Sequence, residues 1–83
     1  VARDRENPFA WYQLGVVYEQ RGDTARAALA TAERYQMMGN DMLALRSADT
    51  AMQGLKEGSL DWLRAQDIAM VSRTAVESRK KRR

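Results

Sequence analysis

Apolar side chains recur at spacings of three and four along four stretches of this chain, and short polar breaks containing glycine separate them. Trp11, Leu14 and Tyr18 form one face of a first helix, with Asn7 as its cap and Pro8 at its first helical position. Arg21-Gly22-Asp23 stops that helix, because glycine accepts the left-handed conformation of a helix end, and Asp23 or Thr24 can cap the next one. The second helix carries Ala25, Ala27, Ala28, Ala30 and Ala32, which let neighbouring helices approach closely. Gly39-Asn40-Asp41 repeats the stop and the cap. The third helix has Ala44, Leu45, Ala48, Ala51, Met52 and Leu55 as its apolar stripe. After Lys56-Glu57-Gly58-Ser59, Ser59 caps a fourth helix whose apolar positions are Leu60, Trp62, Leu63, Ile68, Ala69, Val71, Ala75 and Val76. Asp61 suits the positive N-terminal end of that helix.

The predicted helices cover about residues 8–20, 24–38, 41–55 and 60–78. Residues 1–6 read as a polar lead-in, 7–78 as one helical domain and 79–83 as a basic, fraying tail. No stretch is rich in valine, isoleucine and threonine, so strands are not expected.

The punctuation repeats. A shift of 17 residues brings Tyr18 onto Tyr35, Gly22 onto Gly39, Asp23 onto Asn40 and Ala27 onto Ala44. Seventeen is half of the roughly 34-residue period of tetratricopeptide repeats. Trp11-x-x-Leu14-Gly15-x-x-Tyr18 matches the opening motif of that family at its full spacing, and Gly22 and Ala27 fall where its turn glycine and second-helix alanine belong. Residues 8–38 therefore resemble one tetratricopeptide repeat. A degenerate second copy runs through Ala32, Tyr35, Gly39, Ala44 and Ala51; it has Ala28 and Thr31 in place of the tryptophan and leucine, and Lys56 at the closing proline position.

The resemblance implies an all-α fold: a short, right-handed solenoid of about four antiparallel helices, with the fourth as a solvating cap. Trp11, Leu14 and Tyr18 would then be core knobs, with Gly15, Ala27 and Ala28 making room for them. It also implies a protein or peptide partner on the inner face of the first helix, which by motif position carries Phe9, Tyr12, Gln13, Val16 and Glu19. An ordinary solvated face is the competing reading. The lysine–asparagine set with which some members clamp a C-terminal carboxylate is missing from that face.

Composition narrows the chemistry. With 83 residues the core is small, and such domains lean on close helix packing or on a partner. There is no histidine and no cysteine, so the commonest general base, thiolate metal ligands and disulfides are all missing. Asp61 and Asp67 lie six residues apart on a helix, off a common face, and are read as capping or solvated rather than as a catalytic pair. No catalytic residue, metal ligand or cofactor is assigned. The net charge of +3 comes from the end of the chain: residues 79–83 supply five positive charges, and the rest, with nine basic and eleven acidic groups, carries −2. The body therefore offers no general attraction for nucleic acid. Arg79–Arg83 could touch phosphate or an anionic lipid surface, or serve only for solubility. No apolar run approaches the ~20 residues of a membrane span.

Two segments, residues 7–31 and Gly58–Met70 with its Asp61-Trp62-Leu63-Arg64-Ala65-Gln66-Asp67-Ile68 run, are together similar to the C-terminal tetratricopeptide region of bacterial zinc metallopeptidases related to the beta-barrel assembly-enhancing protease. The resemblance spans about residues 7–72. It implies an accessory region that helps present substrates or partners to a peptidase, in a periplasmic or membrane-associated setting. The His-Glu-x-x-His signature of those enzymes cannot be carried onto a chain without histidine, so zinc would belong to a domain upstream. Since the chain begins at Val1, it is read as a piece of a longer protein. A free-standing scaffold and a self-association module, forming homo-oligomers through unburied stacking faces, are the alternatives. Trp62 is read either as core packing or as an exposed anchor for a partner. Met37, Met38, Met42, Met52 and Met70 are expected chiefly to fill gaps in the core.

Overall fold

Four local cap-and-stop signals set the boundaries of four helices in the computed structural model, which describes residues 7–81. These are α1 (Pro8–Gln20), α2 (Thr24–Met37), α3 (Asp41–Gly54) and α4 (Leu60–Lys81), with no strand among the described residues. Each N-terminus is held by a side chain that accepts from the first turn. Asn7 Oδ1 accepts from the Phe9 amide at 2.9 Å, Asp23 Oδ1 from Arg26 at 3.1 Å, Asn40 Oδ1 from Leu43 at 3.3 Å and Ser59 Oγ from Trp62 at 3.2 Å. Each bond satisfies an amide that the helix itself leaves unpaired. Asp23, rather than Thr24, is the cap of α2.

The 17-residue repetition is realised in the helix ends. The Asp23 amide donates to the Tyr18 carbonyl at 2.9 Å, and the Asn40 amide donates to the Tyr35 carbonyl at the same 2.9 Å. Gly22 and Gly39 stand between them at φ 77° each, a left-handed conformation in which a side chain is strained. The repeated tyrosine, glycine and polar positions thus mark two copies of one helix-stop geometry.

Chain-adjacent helices pack on one another, and α2 also meets α4, so α2, α3 and α4 form a mutually packed group with α1 set mainly against α2. The core of that group is made of alanine. Ala32, Ala44, Ala48, Ala51 and Ala65 are fully covered, and Leu29 and Ala69 nearly so. Leu45, Met52 and Leu55 of the expected α3 stripe lie half-buried against them. Among the described residues Ile68 and Ser72 are the largest side chains with no exposure, and Ser72 Oγ has no hydrogen-bond partner there.

Several expectations are corrected here. Trp11 and Tyr18 are half-buried and Leu14 is exposed, so the three motif side chains are not core. The reason is that α4 stands across a gap from α1 and does not close over this face. Met37, Met38, Met42 and Met70 are exposed, and of the five methionines Met52 alone packs against the core. Leu60, Leu63 and Val71 of the expected α4 stripe face solvent. α4 continues to Lys81 rather than stopping near residue 78, and Arg79, expected in a fraying tail, lies in the helix 2.7 Å from Asp41. The lead-in 1–6 and residues 82–83 lie outside the described residues.

Candidate functional site

α1 is an apolar helix that buries one residue, Gly15. Helices with apolar residues all round are normally enclosed; this one leaves Phe9 62% and Tyr12 52% exposed, with Leu14, Val16 and Val17 also open. Gly15 lies in the contact with α2: a Cβ built there would lie 3.7 Å from the Ala30 Cβ and 3.8 Å from the Ala27 carbonyl, ordinary van der Waals contact, so a methyl fits there.

On one side of α1 the rings of Phe9 and Tyr12 stack, with centroids 6.4 Å apart and planes 20° from parallel. The Arg34 guanidinium continues the stack, its Cζ 5.5 Å from the Tyr12 ring centre and 4.5 Å from that of Tyr35. The ladder Phe9–Tyr12–Arg34–Tyr35 therefore ties the exposed face of α1 to the last turns of α2. Beside it lies a concavity of about 230 Å³ in which Tyr12, Val16 and Glu19 meet Ala27, Thr31 and Arg34. Of the five residues expected on this face, Tyr12, Val16 and Glu19 come together, Phe9 joins through its stack on Tyr12, and Gln13 is exposed outside the concavity. Arg34 had no sequence signal beyond standing next to the repeated Tyr35.

On the other side, Trp11, Leu14 and Tyr18 form one wall of a groove of about 600 Å³. Leu29, Glu33 and Met37 of α2 form its floor, and Asp61 and Arg64 of α4 the opposite wall. That second wall is a charge network. Arg64 donates to both oxygens of Glu33, from Nε at 2.8 Å and from Nη2 at 2.7 Å, and Nη1 donates to Asp67 at 3.1 Å. Arg26 bridges to Asp61 at 3.1 Å. Asp61 and Asp67 are thus ion-pair partners on separate arginines. Trp62 is half-buried, neither enclosed nor fully presented.

The hydrogen bond to Glu33 raises the Arg64 pKa above its already high ordinary value, burial opposing it and the Glu33 and Asp67 charges adding to it. A cation with a raised folded pKa contributes stability that is fully present below its unfolded value and is lost only as pH rises through the folded one. The Arg64 contribution is therefore constant through neutral pH. Glu33 is 9% exposed at its side chain and Arg64 44%, so the pair is worth less than a fully enclosed one. Arg64→Met, which strands the covered carboxylate, is expected to cost about 1–2 kcal/mol in urea unfolding at neutral pH. Glu33→Leu in the same chain should return most of that loss.

Among the described residues no group of three or more acidic, histidine or cysteine side chains could hold a metal ion, and no helix is long and apolar enough to cross a membrane. No family model, curated protein or solved structure matches this chain.

Proposed function

We propose that this chain is a protein-interaction module, and that α1 presents the binding surface while α2, α3 and α4 hold it in place. The observation that carries this reading is the exposure of α1: aromatic and aliphatic side chains open on both flanks of one helix, over a scaffold whose own core is closed. Exposed apolar patches of this kind are characteristic of protein contacts. Phe9 and Tyr12 are rigid aromatic anchors already stacked on one another, so little side-chain freedom is lost when a partner covers them.

The finer reading is a tetratricopeptide-type module, a right-handed solenoid of antiparallel helices that serves as the accessory region of a zinc metallopeptidase. Its support is the complete Trp11-to-Tyr18 motif, the recurring helix stop 17 residues apart and the two peptidase-like segments. A gene encoding a His-Glu-x-x-His helix ahead of Val1 is the expected context; further repeats in its place would leave a free-standing scaffold.

The binding claim is tested by selecting displayed peptides on the purified chain. Enriched peptides with apolar side chains are expected to compete with one another for a single surface. A selection that returns nothing above background in repeated rounds would remove the reading.

A further inference from the structure

We propose that Arg34 is the polar anchor of this surface and receives one carboxylate from the bound protein, while an apolar neighbour of that carboxylate packs on Tyr12 and Phe9. The proposal rests on the reading of α1 as the binding face and adds the chemistry of what it binds.

Four arginines among the described residues already hold acids: Arg26 with Asp61, Arg64 with Glu33, Arg73 with Asp49 and Arg79 with Asp41. Arg34 has no ion pair among the described residues, yet unlike the exposed Arg21 and Arg46 it is half-buried. Its Nε is covered and has no acceptor. The rings of Tyr12 and Tyr35 offset part of the cost of taking this cation out of water, because their faces are negative. They supply no acceptor for its N–H groups, and a half-desolvated guanidinium without one is an incomplete arrangement. What remains for pairing are the terminal nitrogens, beside the concavity that Arg34 helps to line.

The two ring contacts also restrict the guanidinium's freedom, so its N–H fork meets an incoming planar group with less to be ordered. Charge complementarity calls for an anion, and the surroundings call for a weak one. Glu19 lines the same concavity and weakens the field of Arg34, so a dianionic phosphate, whose desolvation cost rises with the square of its charge, is disfavoured against a singly charged carboxylate. A space of about 230 Å³ has room for one small acid and not for a helix. Tyr12, Val16 and Ala27 supply the apolar wall against which the carbon atoms next to that acid would lie.

The test uses the whole chain labelled with nitrogen-15 and follows the Arg34 Nε–H and Tyr12 ring resonances. The probes are N-acetyl-phenylalanine, N-acetyl-phenylalanyl-aspartyl amide, neutral N-acetyl-phenylalaninamide and phenyl phosphate. At least one acid should give saturable shifts with an affinity about fivefold or more above that of the amide, the gain of one partly exposed charge-assisted contact. The better acid identifies the source, a chain terminus or an acidic side chain. Arg34→Met should abolish the preference for acid over amide. Arg34→Lys, which keeps the charge without the fork, should reduce it and serves as the second variant if the methionine chain does not fold. Equal shifts from acid and amide, tightest binding by phosphate, or a preference that survives both substitutions would each overturn the assignment. A display-selected peptide that loses affinity on Phe9→Ser but not on Arg34→Met would sink the anchor alone and leave the binding surface standing.

Discussion

Replacing Ala48 with leucine is expected to cost about 3 kcal/mol, the upper end of the usual range for overpacking. Ala48 has no exposure, and in α3 it stands between Ala44 and Ala51, which have none either. Ala32 from α2 and Ala65 from α4 meet the same seam. Alanine has no rotamer to change, so these neighbours cannot turn aside to admit three more carbons; the helices themselves must separate. A chain of this length has about 4–12 kcal/mol of stability in all, so the variant should lose a large share of it. The readout is a lower urea midpoint with an unchanged slope, since the surface exposed on unfolding stays nearly the same. Leucine at the exposed Thr50, on the same helix, should shift stability by less than about 0.5 kcal/mol. Similar losses at both positions would mean that the alanine seam is not the close contact described.

Ile68→Ala should be at least as damaging. Among the described residues Ile68 is the largest apolar side chain with no exposure, and it sits in a core otherwise made mostly of alanine. Removing three buried carbons costs about 2–5 kcal/mol, the higher values applying where the surroundings cannot collapse. The alanine neighbours have no rotamer with which to fill the space, while Leu29, Leu45, Met52 and Leu55 in and around the core can close part of it, so a value near the middle of that range is expected. The thermal midpoint should fall by roughly 10–30 °C, at about 4–8 °C per kcal/mol for a domain of this size. Ile68→Val, losing one methyl, should cost about 0.5–1.5 kcal/mol. An alanine variant that melts within a few degrees of the parent would show that α4 does not depend on this residue.

The turns were legible because their chemistry is local. Asn7, Asp23, Asn40 and Ser59 cap the helices that follow them, and Gly22 and Gly39 adopt the left-handed stop, all from signals contained within a few residues. The α3 stripe was legible for a related reason: a helix packed between two others buries the residues that its period puts on one side. What periodicity cannot say is which neighbour arrives at each face. Trp11, Leu14 and Tyr18 line up along α1 as core residues would, yet their burial depends on where α4 comes to rest, and it rests against α2 and α3. Gly54 carries no local signal because its reason lies in another helix: a Cβ there would stand 2.8 Å from the Ala25 Cβ. The same holds at the basic end, where the charge run gives no hint that Asp41 stands beside Arg79. At the candidate surface, the spacing of Tyr12, Val16 and Glu19 was visible in the sequence. The rung that Arg34 adds between Tyr12 and Tyr35 is a contact between helices and was not.

The central claim is that the open face of α1 binds while the remaining helices fold. Its most direct test is the binding isotherm of a display-selected peptide on the parent chain and on the Phe9→Ser, Tyr12→Ser double variant. Both side chains are more exposed than covered, so the variant should keep its helical circular dichroism, with a midpoint lowered only by the loss of the Tyr12 contact to Arg34. Its affinity for the peptide should fall at least about tenfold, as loss of aromatic anchors does. A folded double variant that binds the peptide as tightly as the parent would contradict the account.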